Sequence, residues 1–230
     1  MCEDTRRRTT VNLRKRFVWV ALCTGCISPA DTFDEFVARK EAEAASGLKN
    51  TTPTGNGTPL LPEQIAGTYL YTVSTQLAKT NPVVYVLEVE AEGVPGGSEL
   101  TLKLREKPLA CADRKTPVGE FGDWLVSTVN ATGLYTSPTV EKVVPAAANT
   151  AQGCNTESMI KVTFSGTISN PGTAADPAAK VAFWCGDMTG SALGGLIPLM
   201  GKFTATRITD PNNYPPVVID CEKTPADPIP

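Results

Sequence analysis

The chain contains no histidine. That absence excludes imidazole-based zinc sites, Ser–His–Asp triads and Cys–His dyads. No apolar run reaches the ~20 residues a membrane-spanning helix needs. Beyond Cys26 no cysteine stands in a C-x-x-C pair, so redox or nucleophilic thiol chemistry has little to build on. The glycine-rich "CGDMTGSALGGL" (185–196) lacks the lysine of a phosphate-binding loop and the strand-to-helix context such a loop requires. Basic residues are scarce past the N-terminus. Setting aside the six Lys/Arg and two Asp/Glu before Cys26 leaves 15 basic against 22 acidic residues, a net charge of −7. A body of that sign repels a phosphate backbone, so nucleic acid is not an expected partner.

What remains is the composition of a folded domain. Hydrophobic residues make up 41% and charged residues 20%, with 19 Gly and 19 Pro beside many Thr, Ser and Val. Frequent turns and β-branched residues point to an all-β chain. At 230 residues there is room for one domain and an appended segment.

The appended segment is N-terminal. Arg6, Arg7, Arg8, Arg14, Lys15 and Arg16 precede the short apolar run Phe17–Leu22, which is followed by small residues. Basic, apolar, small is the layout of an export signal. "LCTG" followed by Cys26 resembles the lipobox of bacterial lipoproteins, although Cys23 stands where leucine is usual and Leu22 lies one place earlier. The resemblance implies a cleaved signal over residues 1–25, lipidation of Cys26 and a bacterial cell-envelope location, with the lipid holding the chain at a membrane. Read from Val11, the signal becomes "VNLRKRFVWVALCTGC". Valine's GTG codon can initiate translation in bacteria, so residues 1–10 are read as lying upstream of the true start.

Residues 26–62 read as a tether. "DTFDEFVARKEAEAAS" predicts one short helix, with Thr32 and Glu35 at capping-box spacing and Glu35–Arg39 as an i,i+4 pair. "GLKNTTPTGNGTPLLP" has the content of a flexible linker. Residues 63–221 form the β-domain and 222–230 a tail. "VVYVLEVEA" (83–91) places Tyr85, Leu87 and Val89 on one face, and "ELTLKLRE" (99–106) alternates Leu100, Leu102 and Leu104 with polar residues. "MIKVTFSGTI" (159–168) turns Ile160, Val162, Phe164 and Ile168 inward. With 67–75, 123–129, 139–144, 180–186 and 199–208 this gives eight strands. An antiparallel meander closed into a barrel removes exposed edges; a two-sheet sandwich is the alternative.

"GTY" (Gly67, Thr68, Tyr69) opens the first strand and "TATR", ending in Arg207, closes the last. These two ends resemble the Gly-x-Trp and late arginine of lipocalins and their calycin relatives, with Tyr in place of Trp and no counterpart of the family's middle motif. The resemblance implies that Tyr69 and Arg207 form a structural closure pair. It also raises a carrier of a small apolar ligand as an alternative function.

Cys111, Cys154, Cys185 and Cys221 are even in number, which in an exported chain reads as two disulfides with three possible pairings. An up-and-down barrel brings the exits of the third and fifth strands to one end, favouring Cys111 with Cys154 and, by a folded-back C-terminus, Cys185 with Cys221. For chemistry, Glu120 and Asp123 in "GEFGDW" are the nearest thing to a carboxylate pair for a hydrolase. Acidic loops are ordinarily just solvated, and "DPNN" (210–213) reads as a turn rather than a calcium loop. No catalytic residue, metal ligand or cofactor is assigned. The sequence leads to a lipid-anchored envelope β-domain with a binding or structural role, its ligand a protein, a glycan or a lipid.

Overall fold

A computed structural model describes residues 59–93 and 99–222. Cys26, the expected signal, the helix expected over 31–46 and most of the linker lie outside the described residues. The domain opens with a one-turn helix, α1 (Pro62–Ile65), and continues as nine strands. These are β1 (Gly67–Thr75), β2 (Val83–Gly93), β3 (Leu100–Pro108), β4 (Leu125–Val129) and β5 (Leu134–Thr136), then β6 (Val140–Val144), β7 (Ser158–Thr167), β8 (Phe183–Ala192) and β9 (Ile197–Arg207). All pairings are antiparallel. β1 joins β2 on one side and β9 on the other, and β5 pairs with β7, so eight strands close into a barrel. β6 is the additional strand, lying on β7 beyond β5. The barrel is therefore the architecture, and the sandwich is not.

Period-two alternation explains most of the strands. The inward set includes Tyr71, Leu87, Leu102, Val129, Val162 and Phe203, all buried in one core. Aromatic rings fill the middle of the barrel. Phe203 meets Tyr71, Tyr135, Phe164 and Trp184 at centroid separations of 5.4–6.0 Å, mostly edge to face. Two strands differ from the expectation. β8 runs from Phe183 through Ala192 where a strand over 180–186 is expected, and Leu134–Thr136 forms a short strand between the expected strands 123–129 and 139–144. The β8 glycines have a packing reason. A Cβ on Gly186 would come 2.7 Å from the Phe203 ring and 2.1 Å from the Ser165 carbonyl oxygen.

A second, smaller cluster covers the outside of the barrel. Leu70, Val84 and Val86 point outward from β1 and β2 and are buried beneath Leu109, Phe121, Tyr214 and Val217. The C-terminal segment is thus a strap across the wall. It is pinned by the Cys185–Cys221 disulfide and by the Thr204 hydroxyl, which donates to the Val218 carbonyl at 2.7 Å. The Cys111–Cys154 disulfide ties the β3–β4 connection to the segment after β6 at one end of the barrel.

The opposite end is closed by α1, whose Ile65 is fully buried. Arg207 holds it there. Its guanidinium donates to the carbonyls of Gln64 (2.7 Å), Ala66 (3.0 Å) and Val181 (2.7 Å) and to the Tyr69 hydroxyl. It lies 4.7 Å from the centroid of the Tyr69 ring. One side chain thereby satisfies carbonyls at the end of a helix too short to satisfy its own. Gly67 is required beside it. Its φ is +147°, and a Cβ would stand 2.3 Å from Arg207 Nη1. Gly67→Ala is expected to lower unfolding stability by roughly 2 kcal/mol, through backbone strain and displacement of the guanidinium. Gly93→Ala, where a Cβ meets nothing nearer than 3.9 Å, should stay within about 0.5 kcal/mol. Urea denaturation of both variants checks the contrast; equal effects would contradict it.

Candidate functional site: a cleft in the barrel wall

The barrel wall is not continuous. β4 contacts β5 through only two register pairs, Thr128↔Thr136 and Val129↔Tyr135, and the chain then reaches Ser137-Pro138. Proline cannot donate to a ladder, so regular pairing stops at Pro138. Ser137 is almost fully buried, and its backbone N–H donates to the Phe164 carbonyl at 2.9 Å. Its hydroxyl accepts the Phe164 N–H at 2.9 Å in place of a backbone carbonyl. After this break β6 continues along β7 alone. The first residues of β4 therefore face β6 without a hydrogen-bond ladder between them.

A cleft of about 280 Å³ occupies the gap. Its inner wall is aromatic, formed by Tyr71, Tyr135, Phe164 and Trp184. Apolar side chains of Leu87, Leu104, Leu125 and Val140 complete it. Tyr135 and Trp184 are packed edge to face at 5.0 Å. Trp184 is only 2% exposed, yet its indole N–H has no hydrogen-bond partner among the described residues. An unpaired buried donor is uncommon and costs free energy.

Charge enters the cleft from two strands. Glu106 continues the inward series of β3 after Leu100, Leu102 and Leu104, and Lys142 lies between inward Val140 and Val144 on β6. The two side chains form an ion pair across the gap, with 24% and 18% of their surfaces exposed. The Lys142 ammonium also sits 4.6 Å from the Tyr85 ring centroid and 5.6 Å from that of Phe164. An ion pair thus spans the part of the wall that backbone hydrogen bonds do not. Burial holds the Tyr71, Tyr85 and Tyr135 phenols well above their ordinary pKa, and the Glu106 charge pushes each further the same way. The Tyr69 phenol is also raised by burial, with the Arg207 charge opposing.

The outer rim is set by the segment before β4. Arg105 donates to Glu88 at 2.6 Å and lies 4.5 Å from the Trp124 ring centroid and 4.9 Å from that of Phe121. The Gly122 N–H donates to the Glu106 carbonyl oxygen at 2.9 Å. These contacts lay "GEFGDW" along the mouth. Asp123 and Trp124 line the cleft, whereas Glu120 is 94% exposed and pairs with Lys107 on the outer surface at 3.4 Å. The two carboxylates considered for hydrolysis accordingly have separate surroundings. A second chamber of about 70 Å³, mostly apolar, shares Lys142 and Phe164 with the cleft and reaches the β8–β9 turn.

Tyr69 and Arg207 meet at the closed end of the barrel, away from the cleft mouth residues, and the four body cysteines are joined as two disulfides. The residues that matter most in the cleft are ones that no sequence motif singles out: Glu106, Lys142, Tyr135 and Trp184. Extending the β3 alternation by one step turns Glu106 inward, which is the available signal. Lys142→Gln should destabilise the fold by roughly 2 kcal/mol, below the 3–5 kcal/mol of a fully buried pair because both partners keep some exposure. Glu106→Gln/Lys142→Gln should lose less than the sum of the single variants by about 1 kcal/mol or more. Additive losses in a urea double-mutant cycle would contradict the pairing.

No family model matches the chain, and neither the curated proteins nor the solved structures contain a significant match to it. Its functional reading therefore rests on the geometry of the cleft.

Proposed function

We propose that the chain is a lipid-anchored domain of the bacterial cell envelope that binds a small ligand in the cleft between β4 and β6, without catalysing its conversion. The observation that carries the binding role is the break in the wall, which leaves a cavity lined by aromatic rings. Concave, mostly apolar pockets with a few placed polar groups are the usual form of small-molecule sites, and 280 Å³ lies just below their range of ~300–1,000 Å³. Two disulfides suit an oxidising compartment outside the cytosol. The lipobox-like "LCTGC" supplies the anchor, and the residues between Cys26 and the barrel supply reach.

The alternative of a carrier for an apolar cargo in a central chamber is less well supported. Phe203, Tyr71 and Phe164 occupy the middle of the barrel, and the chamber beyond them holds about 70 Å³. The contact of Arg207 with Tyr69 supports a calycin-like closure of the barrel end without bearing on what is bound.

Native and denaturing mass spectrometry of chain purified from bacterial membranes tests this reading. The expected species begins at an acylated Cys26, carries two disulfides and releases a small molecule on denaturation. Unacylated chain in the soluble fraction, with no co-released molecule, would overturn it.

A further inference from the structure

We infer that the cleft takes an organic ammonium ion built on one ring, with the ring against the aromatic wall and the charge at the mouth beside Asp123 and Glu141. The inference rests on the reading of the cleft as a binding site and names the class of its ligand. The inner wall offers the rings of Tyr71, Tyr135, Phe164 and Trp184, and a volume of about 280 Å³ takes one ring with a short chain. Those rings account for the body of the ligand. They do not by themselves choose its charge.

The charged side chains of the lining make that choice. They are Arg105 and Lys142 against Glu106, Asp123 and Glu141. Both bases are already committed: Lys142 pairs with Glu106 inside the cleft, and Arg105 pairs at 2.6 Å with Glu88, which is outside the lining. Asp123 and Glu141 are exposed and have no ion-pair partner among the described residues. Of the nearby bases, Lys107 is paired with Glu120, and Lys161 stands opposite Glu141 in the β6–β7 register. Lys161 offsets part of the Glu141 charge, which makes Asp123 the stronger of the two. An entering anion would meet these carboxylates with no free base to answer them. A cation gains their attraction while its charge keeps its water. The Lys142 ammonium, over the Tyr85 and Phe164 rings, holds a second positive charge out of the interior, so the ligand's charge stays at the mouth. With 15 basic against 22 acidic residues past Cys26, the chain also attracts cations at longer range.

The test titrates the full chain at pH 7 with benzylamine, benzyl alcohol and benzoate, which share a ring and differ in charge. Binding is followed in ¹H–¹⁵N spectra by the amide signals of Trp124, Tyr135 and Lys142, all in the cleft lining. Benzylamine is expected to bind about fivefold tighter than benzyl alcohol, the effect of two exposed ion pairs, with benzoate the weakest. Asp123→Asn should remove most of that preference and Glu141→Gln less of it. Benzyl alcohol should bind both variants as it binds the parent chain. Both positions are exposed, so neither substitution disturbs the core. Raising sodium chloride from about 0.05 to 0.5 M should shrink the preference for the amine, because exposed charges are screened. Equal affinity for amine and alcohol, or tighter binding of benzoate, overturns the ammonium class and leaves the binding site standing. A preference for the amine that survives Asp123→Asn/Glu141→Gln overturns the selection by these two acids. No saturable shift at the lining residues with any probe overturns both this inference and the reading of the cleft as a binding site.

Discussion

The structure turns on what happens at Ser137-Pro138. A meander of eight strands closes through the ladders between neighbours, and here one seam is served by a three-residue strand followed by proline. The Ser137 hydroxyl takes the Phe164 N–H, so the handover from β5 to β6 leaves β7 satisfied while β4 loses its neighbour. Closure is kept at one end of the seam and given up at the other. That opening gives the cleft, and the groups facing it follow from the pleat of the adjoining strands.

Side chains make up for the missing ladder. Glu106 and Lys142 extend from strands that share no backbone hydrogen bonds and meet inside the gap. Desolvating two charges is costly, and a well-packed apolar pair often stabilises as much. The pair therefore reads better as a device that keeps the two edges in register around a cavity than as a source of stability. Elsewhere the barrel is conventional in its physics. Aromatic rings fill its centre, Gly186 on β8 makes room for Phe203, and Arg207 seals the end where α1 enters. With the centre filled, recognition moves to the wall.

Much of the barrel is legible in the residues. The alternation in "ELTLKLRE" and "MIKVTFSGTI" identifies strands and their faces because a half-buried strand must segregate side chains by parity. The closed end is legible through the resemblance of Gly67, Tyr69 and Arg207 to the lipocalin pattern, and the structure supplies its physical reason, an aromatic, a guanidinium and a position without Cβ. The expected strand over 180–186 stops short of the observed β8, in which Gly186 and Gly190 are inward positions where a side chain would collide. β5 is hidden by its length and by the proline after it. The cleft itself is beyond reach from the sequence. It is formed where two strands fail to pair, and no local pattern encodes the absence of a partner. Glu106 and Lys142 are 36 residues apart, and only the register of β3 and β6 shows that they meet.

Under the proposed function a ligand enters at the break in the wall, and not at the barrel's centre or its second chamber. Crystals of the protein soaked in bromobenzene and measured at the bromine edge distinguish these places. One anomalous peak is expected among Trp184, Tyr135 and Lys142, in the cleft described above. A peak confined to the chamber lined by Met188 and Leu199, or no peak in the barrel at all, would contradict binding at the break.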